Sequence, residues 1–223
     1  MSSRRSVTLS PRLLLLPILL LAALLRFWRL DTLPPGLYHD EAYNGLDALS
    51  LVEGKQFPQF YEGWELYAQD AQAERPLPST RWPIFFAGNY GREPLHIYLM
   101  ALSIKLFGAT PFALRLVPAL AGVLGVWTTY LAAAAIFAGR TTRPRLPTSD
   151  SYLPLVAALA LAIFVPTIHF SRFGLRVMLF IPISTLTIAF FWRGIAAATS
   201  RRVYISFLAA GFFLGLGIYS YAA

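Results

Sequence analysis

Five apolar stretches, each close to the length needed to cross a bilayer, dominate this chain. A membrane-spanning helix needs about 20 predominantly apolar residues, and we predict transmembrane spans over residues 13–30, 112–138, 153–170, 177–193 and 203–222. The composition agrees, because 57% of the 223 residues are hydrophobic and 13% are charged, whereas soluble domains are about 25% charged. The sequence therefore predicts an all-α integral membrane protein with about five transmembrane helices, the first an uncleaved anchor.

One hydrophilic segment, residues 31–96, differs from the rest of the chain in charge. It holds ten of the eleven acidic residues and four basic ones, net −6, whereas the rest carries 15 basic residues and one acid, net +14. Recurring proline and glycine indicate short helices joined by turns, and frequent aromatic residues favour order at a membrane interface. We predict a long first outer loop, residues 31–111, that contains juxtamembrane helices.

The short apolar stretch 94–108 decides the predicted orientation. If it crossed the bilayer, the arginines of residues 140–145 and 193–202 would lie outside. If it lies along the membrane surface, they share the cytoplasmic side with Arg4, Arg5 and Arg12, as the positive-inside tendency favours. We therefore predict a surface helix, a cytoplasmic N-terminus and a non-cytoplasmic first loop, in a plasma membrane protein.

Several classes of function are excluded or disfavoured by composition. The chain has no cysteine, so a disulfide framework, a cysteine zinc site or a thiol nucleophile is impossible. Its basic residues are scattered between apolar blocks rather than gathered in one patch, which is typical of membrane topology and not of a nucleic-acid partner.

In this orientation, ionisable residues converge on the outer membrane boundary. Charges at membrane depth are costly, so the cluster predicts a functional site, although any single arginine could simply extend its head group to the interface. His169 is interpreted as an interfacial residue and not as a ligand. The candidate site residues are Asp40, Glu41, Arg92, Glu93, His96, Arg115, Arg172 and Arg176.

Carboxylates and arginines in one cluster suggest a type of reaction. Arginines clamp a phosphate, while a carboxylate accepts the proton of a hydroxyl nucleophile. Sugar transfer from a lipid phosphate needs both, and a single displacement needs one base. Asp40 and Glu41 are adjacent, so their side chains point to opposite sides of a strand or about 100° apart on a helix, and they should have different roles.

Four blocks of sequence occur in a characteristic order. They are GLYHDEAYNGLDAL (36–49), GREPLHIYLMALSIKLFGATPFALRLVPALAGVL (91–124), HFSRFGLRVMLFIP (169–182) and GLGIYSYAA (215–223). Together they resemble the bacterial polyprenyl-phosphate-dependent glycosyltransferases of the C-type (GT-C) superfamily, near the protein O-mannosyltransferase and aminoarabinose transferase families. The resemblance covers essentially the whole chain, although no single block is specific.

The resemblance implies roles for the candidate residues. It makes Asp40 the base, with Glu41 as a supporting carboxylate. The residues that we assign to binding the substrate or its phosphate are Arg92, Glu93, His96, Arg115, Arg172 and Arg176. The implied partners are a polyprenyl-phosphate-linked sugar donor, a protein or glycolipid acceptor and the lipid bilayer.

The second outer loop departs from part of the superfamily. Related oligosaccharide-transferring enzymes place an acidic metal-binding motif there, whereas residues 169–182 contain no carboxylate. We expect a metal-independent inverting transferase without a cofactor; a divalent metal is the alternative. We also expect the chain to be the N-terminal portion of a longer protein and to have weak or no activity by itself.

Two other classes of function are compatible with a chain of this kind. A transporter or lipid flippase would also combine apolar helices with arginines, and it would place ionisable residues near the span midpoints. A non-catalytic scaffold would use the outer loop to bind a partner, but the amount of charge at membrane depth disfavours it.

Overall fold

The computed structural model describes residues 11–54, 82–86, 92–138 and 152–221. The arginines predicted to mark the cytoplasmic side at residues 4–5 and 140–145 lie outside these ranges. The described residues form eight α-helices, together with one isolated antiparallel bridge between Phe86 and Arg92. The helices are α1 (Pro11–Phe27), α2 (His39–Glu53), α3 (Pro94–Phe107), α4 (Pro111–Ala138), α5 (Leu153–Ile163), α6 (Val165–Arg172), α7 (Val177–Ile195) and α8 (Ser200–Ile218).

Three of these helices, α4, α7 and α8, are long and apolar enough to cross a membrane, and the pair α5 and α6 makes a fourth if it is one bent span. The apolar parts of α1 (Leu13–Phe27) and α3 fall short of that length. The described residues thus have the all-helical architecture that the sequence predicts for a membrane protein. The count of five spans and the orientation stay predictions.

The predicted span 153–170 is two helices that meet at an angle of 54°. Phe164 between them has an extended backbone, with φ −66° and ψ 108°. Pro166 explains the break, because a proline lacks the N–H that would bond the carbonyl of Ala162 and its ring clashes with that carbonyl. The helix therefore ends at Ile163 and restarts with Pro166 in its first turn.

The long helix α4 packs against α1, α3, α5, α6 and α7. It approaches α7 closely at Gly125, where an added Cβ would lie 2.9 Å from Ile181. A hydrogen bond of 2.7 Å from Thr185 to Thr128 joins the same two helices. Small residues and hydroxyl pairs at helix contacts are typical of membrane proteins, where apolar burial alone gives little preference for one partner.

Helices α2 and α3 pack on each other and on the start of α4 around a shared apolar cluster that includes Ala48, Ile97 and Met100. With 14 residues, α3 is about 21 Å long, which is less than the roughly 30 Å of a hydrocarbon core. Its length suits the predicted surface helix. Helix α2 ends at Gly54, whose φ of 68° is the left-handed conformation common at a helix C-terminus.

Candidate functional site

All eight predicted site residues belong to the described part of the chain. They lie at the start of α2, around the start of α3, in the second turn of α4, and on both sides of the turn 173–175 that joins α6 to α7. The turn contacts α2 and α3, so residues far apart in sequence meet at one end of the helix bundle. Within that end, the structure divides them into distinct groups.

Arg115 and Glu41 form a buried ion pair, with 1% and 0% of their side chains exposed. The guanidinium donates to both carboxylate oxygens, from Nε at 2.7 Å and from Nη2 at 3.3 Å. Its other N–H groups donate to the backbone carbonyls of Leu30, Pro34 and Gly36. All five donors of Arg115 are thus bonded to protein, so in this conformation the residue positions the segment before α2.

Glu41 also fixes the first turn of α2. Its Oε2 accepts from the backbone N–H of the N-cap residue Tyr38 at 3.1 Å, which is the carboxylate half of a capping box. A carboxylate at a helix N-terminus also interacts favourably with the helix dipole. Glu41 is therefore bonded on both oxygens, and the neighbouring Asp40 is directed to a different side, as the predicted 100° separation requires.

Gly174, which the sequence analysis did not single out, joins the two outer segments. An added Cβ at this position would lie 2.7 Å from Cγ of Glu41, a separation that real side chains do not tolerate. Its carbonyl accepts from Nδ2 of Asn44 at 3.3 Å and is 3.0 Å from Nε2 of His96. The close approach needs a residue without a side chain. A glycine in the turn between two apolar stretches was therefore the sequence signal that could have indicated this contact.

His96 is buried and electrically neutral. Burial, opposed by the hydrogen bond to Gly174 and reinforced by the nearby charge of Arg92, lowers its pKa to about 4. A carbonyl only accepts, so Nε2 carries the proton and Nδ1 is an unprotonated acceptor. Nδ1 has no hydrogen-bond partner within the described residues. The ring is therefore held in one orientation through Gly174.

Asp40 is the carboxylate that remains accessible. Its side chain is 35% exposed, and its Oδ1 accepts from Nη2 of Arg92 at 3.1 Å. The ring Nδ1 of His39 lies 3.7 Å from the same oxygen. Asp40 and Arg92 come from segments about 50 residues apart, so the fold forms this pair and the sequence predicted only that both residues would lie at the boundary.

Arg176 and Glu93 form another ion pair, next to the pair of Asp40 and Arg92, in which the carboxylate is buried. The guanidinium of Arg176 also lies over the ring of Tyr221, with its central carbon 5.1 Å from the ring centroid. Burial, followed by the positive charge of Arg92, lowers the pKa of Arg176, whereas Tyr221 and Asp40 act in the opposite direction. Four charged side chains, two acidic and two basic, therefore share one partly exposed corner, and we call them the Asp40 group: Asp40, Arg92, Glu93 and Arg176.

Arg172 lies on the other side of the same turn and faces α1. Its Nη1 donates to the carbonyls of Leu25 and Arg26, at 3.1 and 3.2 Å. Its Nη2 donates to the carbonyls of Trp28 and Leu33, at 2.6 and 3.0 Å. The carbonyls of Leu25 and Arg26 belong to the last turn of α1, which leaves carbonyls without helical partners, and a basic side chain is a common cap there. Arg172 does not join the Asp40 group.

Arg26, inside the first predicted span, is a buried charge that the sequence analysis missed. It is fully buried, and Nη1 donates to the carbonyls of Ala22 and Ala162. Nη2 donates to the carbonyl of Leu161 and to the hydroxyl of Thr167. The freed carbonyls at the break between α5 and α6 are thus bonded. Two features of the sequence could have indicated this contact: Arg26 inside one apolar stretch and Pro166 inside another.

Gly122 makes room for Arg26. A Cβ at this position of α4 would lie 2.6 Å from Nε and 2.8 Å from Cδ of that arginine. The buried guanidinium is therefore enclosed by α1, α4 and the α5–α6 break, and it has no open side at Gly122 for a ligand.

Within the described ranges, no group of three or more histidine, aspartate or glutamate residues is placed to hold a metal ion. The expected metal-independent reaction stays a prediction. Comparison of the chain with protein-family models, curated proteins and solved structures gives no match. The resemblance to C-type glycosyltransferases therefore also stays a prediction from sequence.

Proposed function

We propose that the protein is a membrane glycosyltransferase that moves a sugar from a polyprenyl-phosphate donor to an acceptor hydroxyl on the non-cytoplasmic side. The observation that carries the proposal is the accessible carboxylate of Asp40 bonded to Arg92, beside Arg176, at one end of an apolar helix bundle. A base for a hydroxyl and two cations for a departing phosphate are the groups that this reaction needs.

In the proposed reaction, Asp40 takes the proton of the acceptor hydroxyl as its oxygen forms a bond to the anomeric carbon. The bond from that carbon to the phosphate oxygen breaks, and the lipid phosphate leaves with the electron pair. Arg92 and Arg176 stabilise its charge, and Glu93 orients Arg176. One displacement inverts the configuration at the anomeric carbon.

Three other predicted site residues have supporting roles in this proposal. Glu41 and Arg115 fix the start of α2 and thereby aim Asp40, because every donor of Arg115 is already bonded to protein. His96 holds the turn at Gly174. Each is a positioning residue.

The test is sugar transfer by the full-length protein from a panel of polyprenyl-phosphate sugars, with and without a chelator. Replacing Asp40 by asparagine keeps the shape and removes the base, so transfer should fall by about 10²–10⁴-fold. Asp31→Asn is the matched control, because Asp31 is an exposed acid that follows α1. Unchanged turnover in Asp40→Asn rejects Asp40 as the base.

Steady-state kinetics test the phosphate role of Arg92 and Arg176. Arg92→Gln and Arg176→Gln should lower kcat more than they raise KM, because a departing phosphate carries more charge in the transition state than in the bound donor. Arg201→Gln, an exposed arginine in the first turn of α8, is the control. Equal effects of all three substitutions would count against the phosphate role.

A transporter or flippase is the second candidate, and one observation favours it. A buried arginine beside a broken helix is typical of substrate paths in transporters, and Arg26 lies at the break between α5 and α6. Here Arg26 binds the freed carbonyls, which also gives it a structural role. Movement of a polyprenyl-phosphate sugar across the membrane of proteoliposomes that contain no acceptor would support this candidate.

A further inference from the structure

A groove lies between the C-terminal part of α1 and α6, apart from the Asp40 group. Its volume is about 560 Å³, within the range of roughly 300–1,000 Å³ usual for small-molecule sites. Apolar side chains form most of its wall, among them Leu24, Trp28 and Ile168, and its two ionisable residues are His169 and Arg172. It therefore combines a hydrocarbon surface with a basic rim.

The charge at this rim is not balanced within the described residues. Arg172 and the neighbouring Arg26 bind backbone carbonyls and one threonine hydroxyl, and neither forms an ion pair with a described carboxylate. Glu41 and Glu93 face other arginines. Positive charge at membrane depth is costly unless an anion accompanies it, so the groove favours a negatively charged occupant.

Polar groups remain available for that occupant. Four N–H groups of Arg172 bind α1 and the segment after it, whereas its Nε–H has no hydrogen-bond partner in the part of the chain that the structure describes. The exposed ring of His169 packs on Phe173, at 4.6 Å between centroids, and its nitrogens likewise make no hydrogen bond there. An Nε–H and a ring N–H on one rim suit the oxygens of a phosphate.

The position of the groove suits a lipid. Trp28 is 62% exposed at its wall, and tryptophan is enriched where the hydrocarbon core meets the head groups. Arg172 ends a helix pair that qualifies as a span. We infer that this groove binds an anionic membrane phospholipid, with the phosphate at Arg172 and His169 and one hydrocarbon chain along Leu24, Trp28 and Ile168.

This site is separate from the proposed donor site and does not depend on it. The turn 30–36 is held by Arg172 on the groove side, through the carbonyl of Leu33, and by Arg115 on the other, through the carbonyls of Leu30, Pro34 and Gly36. The lipid would stabilise the junction of α1 with the α5–α6 pair without contacting the reacting groups.

Photocrosslinking in nanodiscs tests the inference. The chain is reconstituted in a phosphatidylcholine bilayer that contains a trace of one probe lipid. The probe is either phosphatidylglycerol or phosphatidylcholine, each with a diazirine in one acyl chain, and crosslinks are mapped by mass spectrometry. We expect several-fold more labelling of α1 and α6 peptides by the phosphatidylglycerol probe, displaced by unlabelled phosphatidylglycerol. Equal labelling by both probes would show a non-selective apolar surface and overturn the inference.

Two variants and one competitor complete the design. Ile168→Trp fills the groove without removing a bond of Arg172 and should abolish the selective labelling, whereas Leu16→Trp, on an exposed part of α1 outside the groove, should leave it unchanged. Arg172→Gln should reduce the preference for the anionic probe. If polyprenyl phosphate displaces the probe and phosphatidylglycerol does not, the groove belongs to the donor and the inference is wrong.

Discussion

Arg26 and Arg172 each donate a hydrogen bond to a carbonyl at the end of another helix. Arg172, at the end of α6, donates to the carbonyl of Arg26 at the end of α1, and Arg26 donates to the carbonyl of Ala162 at the end of α5. Helix C-termini leave carbonyls without partners and carry a partial negative charge. Two guanidiniums thus join three helix ends.

Arg26 should contribute to stability because it bonds the carbonyls that Pro166 leaves without a donor at the helix break. Arg26→Leu leaves buried carbonyls without a donor, at about 1–3 kcal/mol each, and should lower the unfolding temperature in detergent. In a Pro166→Ala background, residue 166 regains an N–H for Ala162, so the same substitution should cost less. A double-mutant cycle measures this coupling; additive effects would contradict the account of the break.

Removing one partner of the buried pair Glu41 and Arg115 should lower the free energy of unfolding more than removing both charges. Arg115→Met leaves a buried carboxylate and should cost about 3–5 kcal/mol. Glu41→Gln combined with Arg115→Met removes the stranded charge and should recover part of that loss. Thermal unfolding followed by tryptophan fluorescence gives the comparison, and a double variant less stable than Arg115→Met would show that the stranded carboxylate is not the cause of the loss.

Gly174 should not accept a side chain. Gly174→Ala puts a methyl group 2.7 Å from Glu41, so we expect a destabilisation of about 1–3 kcal/mol, as for other overpacked sites. Gly211→Ala is the control, because nothing described lies within 4 Å of its added Cβ, and alanine there should stabilise the helix by up to about 1 kcal/mol. Similar unfolding temperatures for the two variants would show that the turn yields easily.

His96 should make stability depend on pH. Its pKa is about 4 in the folded chain and 6.5 ordinarily, so between these values the unfolded chain binds the extra proton. The stabilisation is complete above pH 6.5 and decreases as pH falls towards 4, by at most about 1.4 kcal/mol per pH unit. His96→Gln should flatten this part of the profile in chemical denaturation; an unchanged profile would assign the dependence to other groups.

Cysteine labelling can test the predicted orientation, because the chain has no cysteine of its own. Leu37→Cys, exposed before α2, should react with a membrane-impermeant maleimide on intact spheroplasts. Thr199→Cys, exposed between α7 and α8, should react only after permeabilisation. Labelling of both from the same side would overturn the topology.

The apolar stretches determined the helical architecture, because a run of about 20 apolar residues has few stable alternatives to a helix in a membrane. The separation of Asp40 from Glu41 also followed from helix geometry alone. Pro166 predicts a tolerated kink within the span, but the complete break at Phe164 was not predicted. A proline within a span is often tolerated, and its effect depends on the donors that neighbouring helices supply.

Only the tertiary structure decided which charge meets which. Sequence placed eight ionisable residues at one boundary, but it did not separate Asp40 and Arg92, which stay accessible, from Glu41 and Arg115, which are buried together. The sequence also gave no reason to expect that Arg172 would donate hydrogen bonds to the carbonyls of α1. Such pairings depend on contacts between segments far apart along the chain, and a guanidinium's role is set by the carbonyls and carboxylates that the fold brings within reach.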